Sequence, residues 1–247
     1  GASTREAQEN VARQIAEQMV DYLLHGTVKN AVNVPSISSE LLNVLRPYAV
    51  LAEKIGMFHS QLVETPIEGV QITYKGTITS YDLSPITTAL LKGLLSKVVG
   101  EEVNFVNAPF IAKDRGIEVM ESKTERSEDF ASLISVKVKA SEGENIISGT
   151  IFGKTMPRVL RINNFYLEAV PEGHMLLIHN EDIPGVIGKI GSVLGKHNVN
   201  IQRMHVGQEK EKRQNVILLS TNVSVKEEVL DELKGMSHIF SARKIEL

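Results

Sequence analysis

"HMLLIHNEDIPGVIGKIGSVLGKHNVNIQRMHVG", residues 174–207, decides how the last third of the chain folds. "HMLLIHN" is an apolar run of strand length, broken by an acidic turn. "PGVIGKIGSVLGKHN" then carries Val186, Ile190, Val193 and Leu194 at helical spacing, so strand gives way to helix at Pro184 and Gly185. "NIQRMHVG" restarts as a strand. "NVILLSTN" follows it across the charged tip "EKEKR", then a helix in "KEEVLDELKGM" and a last strand in "IFSARKIEL". The order βαββαβ is the ferredoxin-like arrangement, with both helices on one face of a four-stranded sheet and the other face or an edge left to find a partner.

Working backwards, "VPEGH" reads as a short linker because Pro171 and Gly173 interrupt the strand patterns on either side. Before it, "VQITYKG", "SLISVKVKA", "NIISGTIFG", "RVLRINN" and "YLEAV" read as strands around one strong helix, "SPITTALLKGLLSKVV", with Ser84 and Pro85 as cap and first turn. A further helix is expected around residues 39–60, its buried side marked by Leu41, Leu42, Leu45, Val50 and Leu51, with Pro47 kinking it or falling near its first turns. At the start, Ser3 and Glu6 have capping-box spacing, Ala7, Val11, Ile15, Met19 and Leu23 form an apolar stripe, and Gly26 supplies the stop. Such a stripe must be buried somewhere: it either docks on the next domain or belongs to a chain cut at residue 1.

At 247 residues, 42% hydrophobic and 23% charged, the chain can bury ordinary cores in one large or two small domains. No apolar run is long enough to span a bilayer and no signal-peptide pattern opens the chain, so no membrane partner and a cytoplasmic location are expected. The absence of cysteine excludes disulfides, thiolate metal sites, iron–sulfur ligation and a cysteine nucleophile from this chain. A net charge of −3 offers no general attraction to nucleic acid.

Catalytic motifs are missing. No G-x-G-x-x-G follows a strand, and there is neither a G-x-S-x-G nor a complete phosphate loop. "FGKT" at 152–155 ends like one, but the position five before Gly153 is Ser148. Five histidines (His174, His179, His197, His205 and His238) crowd the last block. His174 and His179, five apart in one strand, point to opposite faces, and no H-E-x-x-H or similar cluster occurs. The expectation is therefore a chain with no catalytic residue, metal or cofactor of its own.

The turn at 180–185 carries the chemistry. A helix beginning at Pro184 and Gly185 exposes backbone N–H donors at its positive end, a ready site for a carboxylate. Asp182 sets a negative charge beside it, so together they match the carboxylate and ammonium of an α-amino acid. The alternative is that Asp182 merely caps the helix.

These residues resemble a known family. "LLIHNEDIPGVIGKIGSVLGKHNVNIQRMHVG" is similar to the ACT regulatory domain of the D-3-phosphoglycerate dehydrogenase family, including its Pro-Gly turn and the "VNI" that opens the second strand. "GASTREAQENVARQIAEQMVDYLLHGTVKNAVNVP" resembles the segment that follows that family's catalytic histidine, and residues 36–171 resemble the intervening, allosteric-substrate-binding domain of its long form. The resemblance implies L-serine held between two ACT domains, by Asn180, Asp182, Pro184 and Gly185 of one chain and Asn200 of its neighbour. It also implies a candidate anion site at Lys154, Arg158 and Arg161, where only Arg158 falls on an expected cation and Phe165 and Val170 stand where some relatives are basic. The nucleotide loop, substrate arginine and histidine–glutamate pair of the family would precede Gly1, so the chain is expected to begin at a cut, with NAD and hydride transfer belonging to the parent enzyme.

The expectation is an α+β chain in three parts: a closing helix and connector over 1–35, a mixed α+β intervening domain over 36–171, and a ferredoxin-like ACT domain over 172–247. Its expected role is feedback regulation of serine biosynthesis through L-serine and self-association. Alternatives are the regulatory part of an iron–sulfur L-serine dehydratase, an ACT module for another amino acid, or an RNA-binding module. The missing cysteines leave the first without cluster ligands in this chain. "NVILLSTN" has none of the aromatics the last requires.

Overall fold

The computed structural model describes residues 4–25, 39–127, 129–209 and 212–247. The chain divides into two compact units, 1–44 and 45–247. In the first, α1 (Arg5–His25) opens with the Ala7 amide donating to Thr4 Oγ1 at 3.3 Å. The expected cap Ser3 and stop Gly26 lie outside the described residues. Val11, Ile15, Met19 and Leu23 of the stripe are exposed. The division between units falls inside α2 (Ser39–Leu62), just before Pro47, which has no N–H to give its helix.

The first sheet of the second unit comprises β1 (Ile67–Gly76), β2 (Glu118–Thr124), β3 (Ser132–Ala140), β4 (Gly143–Phe152), β5 (Met156–Ile162) and β6 (Phe165–Ala169), in the order β2-β1-β3-β4-β5-β6. Only β1 and β2 are parallel, and parallel neighbours need a crossover. Here α3 (Ser84–Val99) and α4 (Ala108–Asp114) provide it. Neither α4 nor β2 was expected from the sequence. Every residue of β2 is exposed, so it lacks the apolar alternation of a half-buried strand and is defined by its backbone ladder from Gly69↔Glu118 to Lys75↔Thr124. The cap of α3 also differs from expectation: Leu83 is the N-cap, and Ser84 is the first helical residue, its hydroxyl donating to Asp82 Oδ1 at 2.7 Å.

Leu51, Ile55 and Phe58 of α2, Leu90 and Leu94 of α3, and Ile72, Tyr74, Ile134 and Val136 of the strands are all buried. The two helices cross with their backbones touching. A Cβ on Gly93 would lie 2.0 Å from Glu53 O, and one on Gly56 2.2 Å from Leu90 O, so neither position has room for a side chain.

The second sheet, of β7 (His174–Glu181), β8 (Ile201–Glu209), β9 (Gln214–Thr221) and β10 (Ile239–Glu246), has the order β10-β7-β9-β8 and is antiparallel throughout. On one face α5 (Val186–Lys196) and α6 (Glu227–Lys234) close a core of Leu176, Ile178, Ile217 and Leu219 with Val186, Ile190, Leu194 and Leu230. The helix stripe expected at Val186, Ile190, Val193 and Leu194 is therefore the packed one, with Val193 partly buried. The opposite face finds its cover within the chain. Met175, Leu177 and Leu218 are buried there, Gly207 of β8 backs onto Tyr166 O of β6, and the His179 ring meets Phe165 at 5.4 Å and Phe240 at 5.0 Å. Lys54 Nζ donates to Pro171 O at 2.6 Å, and Gln61 of α2 exchanges two hydrogen bonds with the main chain of Glu246.

Candidate effector site

β7 ends at Glu181, the chain turns through Asp182–Gly185, and α5 starts at Val186, two residues later than the sequence suggests. Gly185 is the N-cap at φ +92°, in the left-handed region that glycine adopts without penalty. Among the described residues no side chain caps this helix end. Asp182 is occupied elsewhere: its Oδ1 accepts from Asn215 Nδ2 at 2.9 Å and its Oδ2 from Gln208 Nε2 at 3.4 Å, while its own N–H donates to Arg213 O at 2.8 Å. The capping alternative is therefore not the arrangement adopted. Asp182, Pro184 and Gly185 are exposed, and a carboxylate with two donors retains lone pairs for an incoming N–H. Carboxylate charge and open helix end thus lie within one turn of each other.

Behind this turn lie two asparagines. Asn180 and Asn215 are direct partners across β7 and β9, 1% and 3% exposed, on the face that carries the helices. Asn180 Nδ2 donates to Glu181 O at 2.7 Å and Asn215 Nδ2 to Asp182 Oδ1, which fixes both amides with their oxygens turned the other way. Both Oδ1 atoms are buried and, among the described residues, meet no donor. Each such acceptor costs about 1–3 kcal/mol. Sequence reasoning reached Asn180 but missed Asn215 and Gln208. Only the strand register reveals them, since Asn215 otherwise reads as the polar start of a strand.

Asn200 is not in this cluster. It precedes β8, exposed, its N–H bonded to Asn222 Oδ1 at 2.8 Å. The ladders set Glu181, Gln214 and Glu209 side by side at one end of the sheet and His174, Thr221 and Ile201 at the other. Asn200 therefore lies a full strand away from Asp182, about 25 Å at the usual rise.

The cations of β5 behave differently from a simple strand. A bulge between Val159 and Arg161 puts Arg158 opposite Thr150 and Arg161 opposite Ser148, so two residues three apart share a face. Arg158 lies over the Phe152 ring and 3.5 Å from Glu168, and Arg161 lies over Tyr166 and donates to Asn163 O. Lys154 stands apart in the exposed β4–β5 turn. That turn joins two antiparallel strands and opens no helix, so "FGKT" lacks the strand-to-helix context of a phosphate loop. His205, facing β6 from β8, is held below the usual imidazole range by burial. Among the described residues no three histidine or acidic side chains are grouped to hold a metal. A cleft of about 420 Å³ opens between α3, α4 and β2, on the other sheet from Asp182.

A family model for the D-3-phosphoglycerate dehydrogenase intervening domain matches residues 44–163, and one for the ACT domain matches residues 174–237. D-3-phosphoglycerate dehydrogenases from Archaeoglobus fulgidus, Synechocystis and Bacillus subtilis are 38%, 36% and 35% identical, each over 100% of this chain and over 47%, 45% and 47% of their own lengths. Over its whole length the chain is similar to part of the D-3-phosphoglycerate dehydrogenases, with matches to that family's intervening domain and to the ACT domain in succession. It spans about half the length of the relatives it matches. Within the D-3-phosphoglycerate dehydrogenase framework, Lys154, Arg158 and Arg161 fall in the intervening-domain match, while Asn180, Asp182, Asn200 and Asn215 fall in the ACT match. β6, which covers the ACT sheet, lies between the two matches.

Proposed function

We propose that this chain is the effector-binding and assembly portion of a D-3-phosphoglycerate dehydrogenase, with the parts 1–35, 36–171 and 172–247 serving as connector, intervening domain and ACT domain. L-serine binds at the turn after β7: its ammonium goes to Asp182 and its carboxylate to the amides at the start of α5. The observation that carries the reading is the pairing of exposed Asp182 with a helix end that no side chain caps. The remainder of the parent enzyme, a cytoplasmic NAD-dependent oxidoreductase in this reading, oxidises 3-phosphoglycerate. Serine slows it by favouring one domain arrangement over another.

A second copy completes the site. Among the described residues β8 is paired on one side only, and Met204 and Val206 on it are exposed. Antiparallel pairing of two β8 strands would bring the partner's start of β8, with its Asn200, to the end where Asp182 stands. The test is isothermal titration with L-serine, glycine, L-alanine and other amino acids, alongside sedimentation. L-serine binding to a dimer supports the reading, whereas no amino acid bound, or a monomer at micromolar concentration with serine present, would overturn it.

A further inference from the structure

We propose that Asn215, together with Asn180, reads the ammonium group of the bound amino acid, so that the site demands a ligand with a primary amine. The inference rests on the effector reading above and assigns it a residue that resemblance did not supply. The two buried Oδ1 atoms meet no donor among the described residues, and their amide groups cannot flip, because each Nδ2 is held by an acceptor of its own. Both come from adjacent strands at directly paired positions, on the helix-bearing face and next to the turn that carries Asp182.

The chemistry selects the ligand. A carboxylate oxygen brought to this position meets two carbonyl oxygens and the Asp182 carboxylate, all acceptors, and is repelled. A hydroxyl supplies one hydrogen. A primary ammonium supplies three N–H donors, as many as the unmet acceptors Asn180 Oδ1 and Asn215 Oδ1 and one oxygen of Asp182 can take. Both asparagine oxygens are shut off from solvent, so the ammonium reaches them only as the groups that cover them give way while Asn215 keeps its hold on Asp182. Asn215 also donates to Asp182, so it both holds the carboxylate and faces the amine.

The test is a double cycle between protein and ligand, titrating wild type and Asn215→Ala with L-serine and N-methyl-L-serine. Wild type should prefer serine, and Asn215→Ala should lose about tenfold in serine affinity, the low end for a hydrogen bond to a charged group, and narrow the preference over the N-methyl ligand. An unchanged preference with both ligands weakened equally would mean that Asn215 acts only by holding Asp182, and unchanged serine affinity would mean it has no role; either overturns the inference. Should Asn215→Ala fail to fold, Asn180→Ala carries the same cycle on the other acceptor. If wild type binds no amino acid at all, the effector reading itself falls and this inference with it, an outcome distinct from wild-type binding that survives loss of Asn215.

Discussion

Asp182 and Asn200 stand at opposite ends of one sheet. Asp182 follows Glu181, which pairs with Gln214, while Asn200 precedes Ile201, which pairs with Thr221, and the whole of β8 lies between them. No rotamer spans that separation, so one bound amino acid touches both residues only if they come from different chains.

A mixed dimer tests this directly. Combining one Asp182→Ala subunit with one Asn200→Ala subunit should leave one interface site intact and put both lesions in the other. Titration should then give half the wild-type stoichiometry at near wild-type affinity. Two equally weakened sites would mean that each site is built within a single chain.

His59 gives the first sheet a pH dependence. It is fully buried in α2 with Nε2 3.2 Å from Val136 O, an acceptor, so Nε2 carries the hydrogen and Nδ1 is left without a partner. Burial pushes its pKa down from 6.5 to about 4. Between those values the unfolded chain binds a proton that the folded chain refuses, so stability present above pH 6.5 is lost as pH falls, by about 2–3 kcal/mol at pH 4.5. His59→Gln keeps a donor for Val136 and has nothing to titrate. Denaturant titrations at pH 7 and 4.5 should show a smaller drop for the variant than for wild type, and equal drops would assign the effect to other groups.

The parts of this chain that sequence made legible are those whose partners are periodic and local. α5 shows its buried face in Val186, Ile190 and Leu194, and the four strands of the second sheet lie within a residue or two of where their apolar runs suggest. β2 was illegible because none of its side chains is buried. The shared face of Arg158 and Arg161 was hidden because a single bulge reverses the parity that a strand pattern assumes. Asn215 was hidden for a related reason: its role depends on the residue opposite, Asn180, 35 positions earlier in the chain, and pairing register is not written in either segment alone. The cover of the ACT sheet by β6 is likewise a long-range contact between two patterns that each looked self-sufficient.

The crossing of α2 and α3 should be intolerant of one added methyl group. Gly93→Ala places a carbon against the Glu53 carbonyl, which cannot move without moving the helix. The expected loss is about 1–3 kcal/mol, as for overpacked cores, read as a lowered denaturation midpoint. Gly188→Ala, where an added Cβ meets nothing within 4 Å, is the control and should be neutral or slightly stabilising. Equal behaviour of the two variants would show that the helices part more easily than their contact suggests.

Asp182→Asn separates charge from shape at the effector site. The substituted amide can turn its oxygen toward Asn215 Nδ2, preserving the 2.9 Å contact, and position 182 is exposed, so the fold should survive with little change in melting temperature. What disappears is the negative charge, and an N–H can no longer rely on a carboxylate to receive it. Serine affinity should fall by roughly ten- to a hundredfold, the range for a hydrogen bond made to a charged group. Salt should distinguish the two proteins further, since added ionic strength screens an exposed carboxylate–ammonium attraction and leaves a neutral amide contact largely untouched. Wild-type affinity should therefore decline from low to high salt more steeply than that of Asp182→Asn. Parallel salt dependences with undiminished affinity in the variant would mean that the ammonium lies elsewhere, and that the open helix end alone holds the ligand.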